Sequence, residues 1–229
     1  MELRGPLLVV DRTLIVSDLH LGLEDRHAGA TSLIARSQAV LDGIRAEARG
    51  VERVVFNGDV LDDFALSNPQ SRTLIGHMLR SFSRSHDTVL IRGNHDPMLA
   101  TLGAGAVFSS SRIGPVLVTH GDRSLEEVAS DEDLRACSTI IIGHEHPAVT
   151  LSDGIRSERF KCFVRIPQLS TRFGSKELIV MPSAHPDLIG SDIVSMRSPI
   201  ITEEHPEAEV IVASEPARFF GTVGSLTRE

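Results

Sequence analysis

The sequence has 229 residues, 41% of them apolar, and carries 31 acidic against 23 basic residues for a net charge of −8. This composition provides for a buried core and excludes a disordered or low-complexity chain and one coated overall in nucleic-acid-binding charge. No apolar run approaches the ~20 residues that cross a bilayer, and Cys137 and Cys162 are too few for a disulfide framework or a thiolate zinc site.

The first apolar run, Leu7 to Val10, stops at Asp11, too soon for a signal-peptide core. A soluble cytoplasmic protein without membrane association is expected. Short runs rich in Val, Ile and Leu then recur: Leu14–Val16, Val54–Phe56, Val89–Ile91, Val116–Val118 and Ile140–Ile142. Each is too short for a helix and reads as a strand covered on both faces. Between the first two, Leu33, Val40, Leu41, Ile44 and Ala48 follow a helical period, and Gly50 stands where a C-cap belongs. A second helix is predicted from about Pro69 to Arg84, with Leu74, Met78 and Phe82 on one face. Strand and helix alternate, so the fold class is α/β. Beyond Pro147, Leu178–Met181 reads as a strand, and Val210–Val212 and Phe219–Phe220 as weaker ones.

Each of the five strands ends in a polar cluster. These are Ser17-Asp18-Leu19-His20, Asn57-Gly58-Asp59, Arg92-Gly93-Asn94-His95-Asp96, Thr119-His120-Gly121-Asp122 and Gly143-His144-Glu145-His146. Ligands of open α/β sheets bind at the carboxyl ends of strands. In extended backbone, residues two apart point to one side, so Asp18 with His20, and His144 with His146, would each aim two ligands at one point. Carboxylate, imidazole and amide oxygen together suit Mn, Fe, Zn and similar ions. Asp18, His20, Asp59, Asn94, His120, His144 and His146 are too many for one zinc-like ion with an open position. With one bridging carboxylate they suffice for two. Glycines 58, 93, 121 and 143 allow tight turns beside such a site.

The ordered series D-x-H, G-D, G-N-H-D, H and G-H-x-H, spanning Asp18 to His146, resembles the calcineurin-like metallophosphoesterase superfamily. The stretch through Ile179-Val180-Met181-Pro182-Ser183 also looks like the archaeal phosphoesterases related to SbcD. The resemblance implies a four-layer α/β sandwich, two mixed β-sheets flanked by helices, with residues 1–229 as a single metallophosphoesterase domain. It implies that Asp18, His20 and His146 hold one divalent ion, that Asn94, His120 and His144 hold another, and that Asp59 bridges them. The ions would be Mn²⁺ first, with Fe, Zn, Ni or Mg as alternatives. A hydroxide bridging them would attack phosphorus, His95 would protonate the leaving oxygen, and Asp96 would orient His95. The implied activity is hydrolysis of phosphate esters, with a phosphodiesterase on nucleic acid or nucleotides ahead of a phosphomonoesterase or a non-catalytic interaction module. A helicase or ATPase is a candidate partner. SbcD-type nucleases carry a further DNA-binding domain for which this sequence has no room.

Between Gly154 and Lys176 lie Arg156, Arg159, Lys161, Arg165, Arg172 and Lys176, with Glu158 the sole acid. Arg156, Arg159 and Lys161, together with Arg92 before the G-N-H-D cluster, are candidate contacts to substrate phosphates; a solvated hairpin is the competing reading. Asp62 and Asp63 read as turn or capping residues. His27, His77, His86, His185 and His205 have no ligand spacing, although His27 follows the first motif closely enough to line a cleft.

Overall fold

The apolar runs carry no polar face, so they are stable as strands only if both sides are covered. The computed structural model describes residues 1–23, 30–62, 69–152 and 154–226, and in it two sheets stacked between outer layers supply that cover. The first sheet has six strands in chain order: β1 (Glu2–Arg4), β2 (Leu7–Val10), β3 (Thr13–Val16), β4 (Arg53–Asn57), β5 (Asp87–Ile91) and β6 (Val107–Phe108). The opening hairpins are antiparallel, and β3 to β6 are parallel. The first two parallel crossovers use helix α1 (Ala30–Glu47) and helix α2 (Pro69–Phe82), and the third passes through a 3-10 turn at Leu99–Leu102.

The second sheet contains β7 (Ser110–Ile113), β8 (Val116–Thr119), β9 (Thr139–Ile142), β10 (Pro147–Ser152), β11 (Ser157–Thr171), β12 (Gly174–Val180), β13 (Ser191–Asp192), β14 (Glu209–Val212) and β15 (Arg218–Thr222). Its path runs β13-β10-β11-β12-β9-β8-β7, with β14 and β15 joined through β11. Strands β8, β9 and β12 are parallel, β7 and β11 run against their neighbours, and β10 is antiparallel to β11 but parallel to β13. Both sheets are therefore mixed, as the resemblance implied.

Alternate residues of one strand enter different cores. Ile15 and Val55 face Val118, Ile141 and Ile179 of the other sheet. Leu14, Val16, Val54 and Phe56 face α1 and α2 through Leu41, Ile44, Ile75, Leu79 and Phe82. On the far side of the second sheet, Ile140, Ile142 and Val180 meet Leu125 and Leu134 of two short helices, α3 (Leu125–Val128) and α4 (Asp131–Ala136). Ile193, Met196, Ile200 and Ile201 cover the remainder, so much of that outer layer is irregular chain. Cys137 and Cys162 are free and buried, and burial raises the Cys162 thiol to about 12. No helix among the described residues is long and apolar enough to cross a membrane.

Two sequence expectations shift. Helix α2 ends at Phe82, and its buried face is Ile75-Leu79-Phe82; Leu74 points outward, 37% exposed. The basic stretch from Gly154 to Lys176 forms the hairpin β11–β12, and its cations are largely committed. Arg165 pairs with Glu177 and Glu209, Arg172 with Asp131, and the buried Lys176 ammonium donates to the Cys137 carbonyl. Arg156 and Arg159 remain at the exposed surface.

Phe82 is fully buried, edge-on to Phe56 at 5.4 Å, with the Arg45 guanidinium over its ring. Phe82→Ala should cost about 3–5 kcal/mol in urea unfolding. Leu74→Ala should cost no more than ~0.5 kcal/mol; equal losses would contradict the helix register.

Candidate metal centre

Strands β3, β4 and β5 of the first sheet and β8 and β9 of the second end at the same place. The polar clusters that follow them are stitched together by main-chain bonds beyond the strands. Asp18 N–H donates to the Gly58 carbonyl at 3.2 Å, and His20 N–H to the Asp59 carbonyl at 2.8 Å. Gly143 N–H donates to the His120 carbonyl at 2.9 Å. Across the seam between the sheets, the Asp18 carboxylate accepts the His144 N–H at 3.1 Å.

Asp18 and Asp59 are buried at this seam, Asp18 completely. One side-chain group comprises Asp18, His20, Asp59 and His146; a second comprises Asp59, His120 and His144; within each group the candidate ligand atoms lie within 4.8 Å of one another. Asp59 belongs to both. The Asn94 amide oxygen is 3.2 Å from His120 Nε2, which adds Asn94 to the second group. All seven residues named from the sequence thus converge on one centre.

The convergence does not arise from extended alternation. Seven non-glycine residues among those described have positive φ, and five of them are Asp18 (57°), His20 (41°), Asp59 (44°), His144 (65°) and His146 (44°). Such conformations cost about 1–3 kcal/mol each and persist only where surrounding structure imposes them. Here that structure is the loop stitching just described. His144 and His146 also separate, one to each group, where the i, i+2 rule would aim them together.

The donor set fits a divalent cation. His20 Nε2 and His146 Nε2 are buried without a hydrogen-bond partner, yet they lie 3.6 Å from Asp59 Oδ2 and 3.0 Å from Asp18 Oδ1. A cation held between a nitrogen lone pair and a carboxylate satisfies both at once. Burial pushes His20 down to about 4, against the pull of Asp18 and Asp59, which favours the neutral ring. Burial opposes charge on His120 as well, but Asp59 and Asp18 outweigh it and raise that ring to about 9. Burial would raise Asp59, yet His120 and the His95 amide outweigh it and hold the carboxyl below its usual range. The centre is rich in negative charge and draws positive charge to itself.

His95 stands beside the first group, its ring centroid 5.2 Å from that of His20, while its N–H donates to Asp59 Oδ1 at 2.9 Å. Asp96 is bonded to the main chain of two loops. Its buried carboxylate accepts the N–H groups of Val60, Leu61 and Gly93 at 3.2, 2.9 and 3.0 Å. It therefore ties the Asp59 loop to the Asn94 loop. Burial raises it to about 6, against those amides.

Among the candidate phosphate contacts, Arg92, Arg156 and Arg159 are exposed. Arg159 reaches Thr150 Oγ1 and the Gly190 carbonyl, both at 3.4 Å. Lys161 is turned inward: its ammonium donates to the carbonyls of Ser183 and His185, and burial lowers it to about 8. The hydroxyl of Ser183 in turn donates to the Asp18 carbonyl at 2.7 Å, so Lys161 braces the loop beneath Asp18. Asp62 is buried, and His27 and Asp63 lie outside the described residues. Sequence reasoning placed Asn57 in a cluster but gave it no role; its carbonyl lies 3.2 Å from His120 Nδ1 and its amide donates to Ser17 at 3.1 Å. Its place in the Asn57-Gly58-Asp59 cluster was the available signal. Ser183 and Gly190 carried no spacing signal, because they reach the centre through the fold.

Buried carboxylates and imidazoles at the seam of two mixed sheets define a site for divalent metal. Residues 12–161 match the calcineurin-like phosphoesterase superfamily domain, and the chain belongs to that superfamily. Its members are metal-dependent phosphoesterases, consistent with this donor set. No curated protein matches the chain in sequence. Among solved structures it is similar to nuclease MPE of Pseudomonas putida, with 20% identity over 96% of this chain and 98% of that one and a TM-score of 0.61, a likeness of fold. Looser likenesses are the zinc complex of Vps29 from Entamoeba histolytica, 14% identical over 91% and 98% of the two chains with a TM-score of 0.37, and a predicted phosphoesterase from Streptococcus pneumoniae, 14% identical over 91% and 96% with a TM-score of 0.35. At those scores they carry no argument.

Close approach makes Gly93 and Gly143 indispensable here. A Cβ on Gly93 would lie 2.1 Å from Asp59 Oδ1, and one on Gly143 would lie 2.4 Å from Asp18 Oδ2. Gly93→Ala should lower bound divalent metal well below the wild-type content in elemental analysis. Gly43→Ala, in helix α1 with nothing within 4 Å of the added carbon, should leave it unchanged.

Proposed function

We propose that the chain is a binuclear metal-dependent phosphodiesterase acting on nucleic acid or nucleotides. The observation that carries this reading is the pair of Asp/His groups sharing Asp59. Asp18, His20 and His146 would hold one ion and Asn94, His120 and His144 the other, with Asp59 available to both. Manganese is the first candidate, with iron, zinc, nickel or magnesium as alternatives. Two such cations supply Lewis acids for the phosphoryl oxygens and for water, and they remove the repulsion between a phosphate ester and an anionic nucleophile.

The chain's own residues do the remaining work. His95, beside His20, donates a proton from its imidazole to the departing oxygen. Its main-chain N–H holds Asp59 in place. Asp96 is a positioning residue, keeping the loops of Asp59 and His95 at a constant separation through three amide bonds. Exposed Arg92, Arg156 and Arg159 offer cations to a phosphate backbone, and Lys161 supports the Asp18 loop. The fold likeness to a bacterial nuclease supports a diester substrate, as does the narrower resemblance to SbcD-related phosphoesterases. A helicase or ATPase partner would present nucleic acid to an enzyme of this kind.

Manganese-loaded protein should hydrolyse bis(p-nitrophenyl) phosphate faster than p-nitrophenyl phosphate, and Asp59→Ala should hydrolyse neither. Faster monoester cleavage would replace the diesterase reading with a phosphomonoesterase. His95→Ala should keep its metals and lose about 10²-fold in turnover; full activity on an ester with a poor leaving group would remove His95 from the acid role.

A further inference from the structure

The sequence has nine Phe and neither Trp nor Tyr, so phenylalanine is the only large aromatic side chain available for a base-stacking surface. Among the described residues Phe56, Phe82 and Phe163 are buried in the cores, and Phe108, Phe219 and Phe220 are exposed, the last two on β15. Phe108 is 49% exposed at the end of β6, and its carbonyl accepts the Arg92 N–H at 2.9 Å. That bond sets Phe108 directly beside the start of the G-N-H-D cluster. A cavity of about 230 Å³ opens there, lined by Arg92, Phe108, Ser109, Arg123, Pro97 and Asp96.

The lining is cationic where a ligand would meet it. Arg92 lies three residues before His95, and its guanidinium makes no hydrogen bond or ion pair among the described residues. Arg123 lies three residues after His120 and meets Asp122 at 3.8 Å, too long for a hydrogen bond. The Asp96 carboxylate is engaged by three main-chain N–H groups and does not contest an anion. Two cations with donors to spare, flanking an exposed aromatic face beside a metal centre, match one nucleotide unit: a base to stack and a phosphate to clamp.

We infer that this cavity is a nucleotide subsite, in which Phe108 stacks an unpaired base and Arg92 and Arg123 hold the phosphate next to it. The inference rests on the phosphodiesterase reading and narrows its substrate to single-stranded or frayed nucleic acid, because a base inside a duplex has no free face to offer. Stacking on a phenylalanine tolerates any base, so the subsite selects for unpaired structure and not for sequence.

The test is fluorescence-anisotropy binding of two labelled phosphorothioate oligomers of equal length to the full chain. One is oligothymidylate; the other is an abasic backbone of the same charge. Wild type should bind the thymidylate roughly tenfold more tightly, from the usual gain per stacked base. Phe108→Ala should bind both equally, and Phe108→Trp should restore the preference. Arg92→Gln with Arg123→Gln should weaken both oligomers and flatten the log–log salt dependence by about 0.7 for each phosphate no longer neutralised. Equal wild-type affinity for the two oligomers, or a preference that survives in Phe108→Ala, would overturn the subsite. The paired ester assay reads the diesterase reading separately: diester hydrolysis without base preference removes the subsite alone, and base preference with faster monoester cleavage removes the diesterase reading alone.

Discussion

Two carboxylates buried within one centre are the constraint on which the rest of the site depends. Asp18 and Asp59 are shielded from water and share His120 as a neighbour, at 3.7 and 3.3 Å. Like charges so placed are unfavourable unless positive charge and hydrogen-bond donors surround them. The chain supplies the main-chain N–H groups of His95 and His144 and a ring of imidazoles, and the remainder of the balance suits divalent cations. The left-handed backbone at five ligand positions and the close approaches at Gly93 and Gly143 follow from bringing so many polar groups to one point.

The two-sheet architecture allows that strain to be held. Parallel strands within each sheet point the same way, and the core between the sheets, with Ile15, Val55, Val118, Ile141 and Phe163 among its members, sets the separation of their carboxyl ends. Loops from both sheets then bond to each other over the seam. The His144 amide on the Asp18 carboxylate and the Ser183 hydroxyl on the Asp18 carbonyl are such ties, and Asp96 joins two loops of the first sheet in the same manner.

Charge away from the centre is arranged differently. Several cations of the β11–β12 hairpin serve the fold, through Arg165 with two glutamates, Arg172 with Asp131 and Lys176 with a buried carbonyl. Arg92 and Arg123, which line the cavity beside the metal centre, belong to no basic run in the sequence. Local density of charge is therefore a poor guide to where a ligand's charge is met, because a run of arginines says nothing about the acids that fold against it.

The sequence by itself determined the α/β class, the five central strands and the seven residues that converge, since each ligand follows directly on an apolar run and local order is enough to reveal that. It also marked Asn57 by its place beside Asp59. Spacing alone did not divide the ligands, although the family resemblance implied the division: His144 and His146 are two residues apart yet belong to different groups, because their backbone is left-handed and not extended. Nor did it assign Asp96 to the main chain of two loops, Lys161 to the carbonyls beneath Asp18, or Phe108 to the rim of an arginine-lined cavity. Those roles depend on which distant segment packs against each residue, and that is decided by the stacking of the two sheets, which no spacing along one chain records.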